Sequence, residues 1–288
     1  MNGILVLNKP TGYSSHDCVN IVRRAFNTKK VGHAGTLDKE ASGVLVLGVN
    51  RGTKIMEFLN QDDKGYMFTA RFNQTTTTLD HTGEVVNKAA QHDFNALDSA
   101  LNHFLGTYMQ TPPAYSAVKV DGRKLYEYAR KGQPIPYVPP RKTYIYTLKR
   151  LSDVRDNDDG TYSVDLFTET SKGVFVRSLA DDIARKLASV GHTTRIHRTQ
   201  SGRFSIEMAT ELSELKEGKY RLISMAEALE DYPEFKVAPS MIKKVQNGQP
   251  LKLPTEAPYV KLVDNTRALI GIYMSAEDGV HRPKRVFN

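Results

Sequence analysis

Asp38 ends the glycine-rich stretch Gly32-His33-Ala34-Gly35-Thr36-Leu37-Asp38, just before the apolar run Gly43-Val44-Leu45-Val46-Leu47. A short carboxylate in such a turn commonly accepts backbone N–H bonds, which is ordinary loop chemistry. A carboxylate anchored by a following strand can also act as a nucleophile or a base. Gly32, Gly35 and Gly43 allow other chains to approach the loop closely, and His33 adds a second polar group beside Asp38. The residues of this stretch leave both readings open, and the rest of the chain has to discriminate.

Competing chemistries lack their residues. The eight histidines contain no His-Glu-x-x-His pattern, and His192 and His197 are wrongly spaced for one helix face, so they read as solvated or structural. The stretch Gly48-Val49-Asn50-Arg51-Gly52-Thr53-Lys54 is one residue short of a phosphate loop, with Thr53 where lysine should follow Gly52. No Gly-x-Gly-x-x-Gly follows a strand, and there is no Gly-x-Ser-x-Gly elbow or thiol signature. What survives is a carboxylate with basic and aromatic helpers, and neither metal nor cofactor is expected.

The elements that must position these groups fit 288 residues with 40% hydrophobic content, enough for one large domain and a small one. Lys and Arg number 40 against 32 Asp and Glu, and the formal charge of +8 favours a polyanionic partner. A single cysteine, Cys18, rules out an intrachain disulfide, reads as a small apolar helix residue, and suits a reducing cytoplasm. Ile4-Leu5-Val6-Leu7 before Lys9-Pro10 is too short for a signal peptide, and the runs 44–49 and 268–274 are too short for a membrane span.

A strand over 4–7 leads to a helix capped at Ser14-Ser15, with Val19, Val22 and Phe26 on its apolar face. The Asp38 loop, a strand over 44–49, a short helix over 53–59 and an alternating strand over 66–72 follow. A helix is expected near 95–105, a long hairpin from 144–151 and 161–169 around Asp156-Asn157-Asp158-Asp159-Gly160, and a helix over 176–188. Strands and helices mix without βαβ regularity, which predicts α+β with a central, largely antiparallel mixed sheet flanked by helices. After Asp231-Tyr232-Pro233 the composition shifts to prolines and short strands, predicting a β-rich module over 236–288 beside a body over 1–235.

The chain resembles the bacterial TruB tRNA pseudouridine synthases. The likeness begins at Gly3-Ile4-Leu5-Val6-Leu7-Asn8-Lys9-Pro10-Thr11-Gly12 and runs through Val31-Gly32-His33-Ala34-Gly35-Thr36-Leu37-Asp38, the family's nucleophile motif. It resumes at Gly52-Thr53-Lys54, Lys64-Gly65-Tyr66, Asp80, Gly83, Pro112-Pro113 with Tyr115-Ser116-Ala117 and Lys119, and Lys124-Leu125-Tyr126-Glu127-Tyr128-Ala129-Arg130. Ser171-Lys172-Gly173-Val174-Phe175-Val176-Arg177 extends a match that spans residues 3 to about 205 in order. Lys39, Ser42, Thr77 and Val174-Phe175 stand where the family usually has Pro, Thr, Asp and Thr-Tyr.

The resemblance implies the pseudouridine synthase fold with a C-terminal PUA-like RNA-binding module, and isomerisation of uridine 55 in the T loop of tRNA. That reaction breaks an N-glycosidic bond and rejoins the uracil through carbon, with no change in oxidation state. It implies Asp38 as nucleophile, Tyr66 stacking on the flipped base, and Arg177 orienting Asp38 in a dry pocket. A guanidinium can grip both carboxylate oxygens in a planar fork. His33 would fill the space the base leaves, Lys9 and Pro10 would buttress the pocket floor, and Asp80 would hold the loop.

The run from Lys119 to Arg130 resembles the family's thumb, over about 119–140, with Lys119, Lys124, Tyr126 and Arg130 on the RNA; as residues alone it reads as an amphipathic surface helix. By themselves, Arg177 reads as a solvent-facing helix-start arginine and Tyr66 as a half-buried strand tyrosine. Arg23, Arg24, Lys29, Lys30 and His281-Arg282-Pro283-Lys284-Arg285 would extend the basic track. The expected partner is the T stem-loop of tRNA, bound by a cytoplasmic monomer that needs no protein partner. Two rivals share parts of this pattern: a non-enzymatic RNA-binding or RNA-folding protein on the same scaffold, and a synthase acting on ribosomal RNA. Intact Asp38, Tyr66 and Arg177 favour the enzyme over the first.

Overall fold

Strand β1 (Gly3–Lys9) leads into helix α1 (Ser15–Ala25) of the computed structural model, which describes residues 1–59, 63–90, 94–276 and 278–287. The helix starts there because Ser14 and Asp17 cap each other: Ser14 Oγ accepts from the Asp17 N–H at 3.1 Å and Asp17 Oδ2 from the Ser14 N–H at 2.8 Å. Cys18, Val19 and Val22 form its buried stripe, and Phe26, at the C-cap, packs against Tyr220 with the rings tilted and centroids 4.7 Å apart. Strands β2 (Val31–Ala34) and β3 (Ser42–Val49) pair antiparallel, and the Asp38 loop joins them.

The body continues with β4 (Lys64–Phe72), α2 (Leu97–His103), β5 (Gly106–Gln110), α3 (Leu125–Arg130), β6 (Arg141–Arg150), β7 (Tyr162–Thr170), α4 (Val176–Lys186), β8 (Gly191–Ser201) and β9 (Leu222–Ile223). Its eleven-stranded sheet has the order β9-β1-β3-β8-β4-β7-β6-β5, with β2 beside β3. Among the described residues the β3–β8 pair is parallel and the others are antiparallel, as the mixed pattern of elements predicts. Alternation on β4 sends Tyr66, Phe68, Ala70 and Phe72 inward, where Leu179, Ile183 and Ala184 of α4 join their core.

Strands β2, β5, β8 and β9 of this sheet escape the sequence reading. Strand β8 is rich in Thr, Arg and His and lacks apolar alternation, yet it lies between β3 and β4. It is stable there because several of its polar side chains, His192 and Arg198 among them, find partners. His192 Nδ1 lies 2.7 Å from the Gln74 carbonyl and His197 Nδ1 2.9 Å from Ser42 Oγ. Both histidines are structural, in agreement with their spacing.

The C-terminal sheet, β10 (Glu234–Lys236), β11 (Tyr259–Val263), β12 (Leu269–Ser275) and β13 (His281–Val286), carries helix α5 (Pro239–Gln246). Strand β10 begins at Glu234, so a boundary between 235 and 236 cuts through it. One face of this sheet closes its own core around Val245, Val260, Leu262 and Tyr273. Val263, Leu269, Ile272 and Phe287 instead share a core with Ile4, Val6, Val44 and Val46 of the body. Buried Lys261 ties the two together, donating from Nζ to the carbonyls of Ala226 and Leu229 at 3.1 Å each. No helix among the described residues is long and apolar enough to cross a membrane.

Candidate active site

The loop that carries Asp38 is clamped from three sides. Ser15 Oγ donates to the Leu37 carbonyl at 3.1 Å and accepts from its N–H at 2.9 Å. Lys9, fully buried, donates from Nζ to the carbonyls of Tyr13, Pro10 and Lys39 at 2.5, 3.0 and 3.0 Å, which uses all three ammonium protons. Burial pushes the Lys9 ammonium below the usual lysine pKa. Arg198, equally buried, gives Nε to the Val44 carbonyl at 2.8 Å and its terminal nitrogens to the carbonyls of Gly35 and Thr36 at 3.0 and 3.4 Å. Gly43 is required where β3 meets β8: its φ is +103°, and a Cβ there would lie 2.2 Å from the Arg198 carbonyl oxygen.

Arg177, the second residue of α4, is only 4% exposed and points back to this loop. Its Nε donates to Asp38 Oδ2 at 2.8 Å, and its terminal nitrogens donate to the carbonyls of Thr78 at 2.7 Å and Tyr115 at 2.9 Å. The expected planar fork on both carboxylate oxygens is therefore absent, because the terminal nitrogens are spent on backbone. Asp38 Oδ1 has no hydrogen-bond partner among the described residues. The expected dry setting also needs correction: the Asp38 side chain is 47% exposed.

Asp38 and Arg177 lie in a cleft of about 430 Å³ that Tyr66, Ile196, Phe175 and Ser116 also line. Tyr66 is buried on β4, with Thr168 and Arg198 as its register partners. The cleft is basic: Lys64, Arg141, Lys172 and Arg198 line it. Of these, Lys64 and Lys172 fall in stretches that carry the family resemblance, and Arg141 had no local signal. A second group missed by sequence is Gln110 on β5. Its Oε1 accepts from the Phe175 N–H at 2.8 Å and its Nε2 donates to the Phe175 carbonyl at 3.0 Å and to Tyr108 Oη at 3.0 Å. Tyr108 in turn donates to Asp182 of α4, so β5 grips the start of the helix that bears Arg177.

The other predicted residues surround the cleft without lining it. Lys9 and Pro10 sit beneath the Asp38 loop. His33, on β2 opposite Leu47, is half-buried with Nδ1 unpartnered; burial and then the nearby Arg198 and His16 charges lower its pKa. Asp80 lies 4.0 Å from Arg177 Nε, and its Oδ1 accepts from Thr82 N, Thr82 Oγ1 and Thr78 Oγ1. Burial raises the Asp80 pKa, but these bonds and the Arg177 charge hold it below the usual carboxylate value.

The predicted thumb is a short hairpin, Lys119–Val120 with Arg123–Lys124, followed by α3. Buried Leu125 anchors it, and backbone bonds from Leu125 and Tyr126 to the Val118 and Ser116 carbonyls tie it to the cleft wall. Lys119 and Arg130 are exposed. Tyr126, expected to be available for stacking, has Lys124 Nζ at 5.5 Å and the Arg130 guanidinium at 5.2 Å from its ring centre. Among the described residues no cluster of His, Cys, Asp and Glu has the makings of a metal site.

This architecture is the pseudouridine synthase fold, a class of enzymes that isomerise uridine in RNA. It overlays with a TM-score of 0.73 on a chain from an H/ACA RNP bound to a substrate RNA containing 2′-deoxyuridine, and with 0.71 on one from the archaeal box H/ACA sRNP Nop10-Cbf5 complex. In both cases the identity is 19%, over 99% of this chain and 85% of the other. Residues 23–176 match the N-terminal domain of TruB family pseudouridylate synthase, and residues 233–287 match the C-terminal domain of pseudouridine synthase II TruB. Proteins named tRNA pseudouridine synthase B are similar along their length. That of Caldanaerobacter subterraneus is 38% identical, covering 100% of this chain and 99% of the relative. That of Bacillus subtilis is 37% identical, covering 99% and 97%. The chain belongs to the TruB family of pseudouridylate synthases.

Proposed function

We propose that this protein converts uridine 55 in the T loop of tRNA to pseudouridine, with Asp38 as nucleophile, Tyr66 as the aromatic wall for the flipped base and Arg177 as the group that orients Asp38. The observation that carries this reading is the 2.8 Å contact from Arg177 Nε to Asp38 Oδ2 at the cleft that Tyr66 lines. One carboxylate oxygen is held and the other is left to react, which suits a nucleophile. Attack by the carboxylate on ribose C1′ or on the uracil frees the base to turn. The C1′–N1 bond breaks, C1′–C5 forms, the bond from Asp38 breaks to return its carboxylate, the C5 proton leaves and N1 gains one, so atoms and electrons balance without a redox partner.

The basic walls fit a flipped nucleotide and its phosphates. Lys9, Pro10 and Asp80 support the loop and His33 fills the space the flipped base leaves, while Lys119, Lys124, Tyr126 and Arg130 of the thumb close over the T stem-loop. The module from Glu234 adds contacts to the RNA. The protein acts as a cytoplasmic monomer. Incubating purified protein with an unmodified tRNA transcript and mapping pseudouridine by position tests the reading; product at another position, or none, would overturn it.

A further inference from the structure

The half of the sheet formed by β4, β7, β6 and β5 has one face under α2 and α4, and a second face that carries exposed aromatic and apolar side chains. Met67, Met109, Tyr144, Tyr146 and Leu151 are each between 40% and 56% exposed. They form one patch by register. Lys142 pairs with Met109, Lys149 with Phe167, and Phe167 with Met67, and cross-strand partners share a face. Tyr144 follows Lys142 by two residues on the same face, and Tyr146 is the bulged residue between Ile145 and Thr147. The Tyr144 and Tyr146 rings lie side by side, 4.9 Å apart.

Exposed patches of this kind mark binding surfaces. We propose that this open sheet face binds unpaired nucleotides of the substrate RNA that lie outside the modified stem-loop. The inference rests on the reading above that RNA is the substrate. Three observations select RNA over protein. Lysines lie among the aromatics, whereas the core of a protein interface is depleted of charge: Lys149 Nζ lies 5.4 Å from the Phe167 ring centre, and Lys142 has no ion-pair partner among the described residues. The carboxylates on this face are already engaged, Glu169 by Thr147, Asp165 by Thr69 and Arg155, and Asp63 by Tyr146. Finally, although Tyr66 of the cleft and Met67 of the patch point to opposite faces of β4, the patch approaches the cleft around the ends of β6 and β7. Ser171 bonds the Tyr144 backbone in both directions, and its neighbour Lys172 lines the cleft, as does Arg141 on the same strand as the tyrosines. Strands presenting aromatics with flanking cations stack unpaired bases and hold their phosphates.

The test compares affinities of the full-length tRNA transcript and of the isolated T-arm stem-loop. With Tyr144→Ala and Tyr146→Ala combined, the loss on full-length RNA should exceed that on the stem-loop by roughly tenfold, the scale of one base–aromatic stack. Combining Tyr144→Phe with Tyr146→Phe should restore the difference, because rings and fold are kept. Lys142→Ala with Lys149→Ala should lower the salt dependence for full-length RNA more than for the stem-loop. Equal losses on the two RNAs, or none, would overturn the inference. So would unchanged RNA affinities with loss of a concentration-dependent dimer, which would make the face a contact between copies of this chain. A wild-type protein that favours full-length RNA yet makes no pseudouridine would sink the proposed function and leave this inference standing.

Discussion

Arg177 holds Asp38 through one nitrogen and one oxygen, at 2.8 Å, and spends its other nitrogens on the carbonyls of Thr78 and Tyr115. The arginine therefore joins three chain segments at the cleft, and its value lies in geometry as much as in charge. Arg177→Lys would keep a cation near Asp38 and leave the two carbonyls without their donors. A loss of about 10²–10³ in kcat is expected, with KM for tRNA little changed. Single-turnover kinetics on a T-arm stem-loop measures it, and a near-wild-type rate would remove Arg177 from the orienting role.

Asp38→Asn keeps the shape of the loop and removes the charge that reacts. Isomerisation should fall to background while tRNA affinity stays within a few fold, since phosphate contacts elsewhere carry most of the binding. Filter binding and pseudouridine mapping on the same preparation separate the two effects. Substantial residual turnover would rule out Asp38 as nucleophile.

Gln110 is expected to act on the reaction from outside the cleft. Gln110→Leu deletes both hydrogen bonds to Phe175 and the one to Tyr108 while nearly preserving volume. Displacement of the α4 start by a fraction of an ångström should lower kcat by roughly tenfold with KM little moved. A purely structural role would instead lower the unfolding midpoint and leave kcat of the folded fraction intact.

The buried histidines give stability a predictable pH dependence. Burial keeps His192 below the ordinary histidine pKa of 6.5, partly opposed by its bond to the Gln74 carbonyl, and His33 and His197 are lowered in the same sense. As pH falls through 6.5 the unfolded chain takes up protons before the folded one, so stability should decline on the acid side and level off below the folded pKa values. Thermal midpoints between about pH 7.5 and 5.5 should show this slope, and His192→Gln should flatten it. A midpoint that rises on acidification in this window would contradict the assignment.

The C-terminal module is poorly tested by truncation. Deleting residues 234–288 would bare the apolar face of Ile4, Val6, Val44 and Val46, so aggregation or a lowered midpoint is the expected result. Within the basic tail, His281 is buried, Arg282 pairs with Asp278 and Arg285 with Glu57, which leaves Lys284. Lys284 and Lys54 line a common groove of about 630 Å³ between module and body. Replacing both with alanine should weaken tRNA binding and reduce its salt slope by roughly one per lost phosphate contact. An unchanged slope would show that the groove does not meet the RNA.

The amphipathic and alternating segments were legible without coordinates, because period and caps are local properties of the chain. The Ser14 cap, the stripe of α1, the alternation of β4, the β6–β7 hairpin and α4 all stand where residue order places them. Asp38, Tyr66 and Arg177 were legible through a motif pattern, and their shared cleft is a property of the folded chain. The support from Lys9 was expected from the motif pattern, whereas strand β8 and the clamps by Arg198 and Gln110 were not legible. Each depends on buried polar groups meeting partners far away in sequence, and a polar residue carries no local mark of whether folding will supply a partner. The single-oxygen grip of Arg177 on Asp38 was decided the same way, by two backbone carbonyls that only the tertiary arrangement brings within reach.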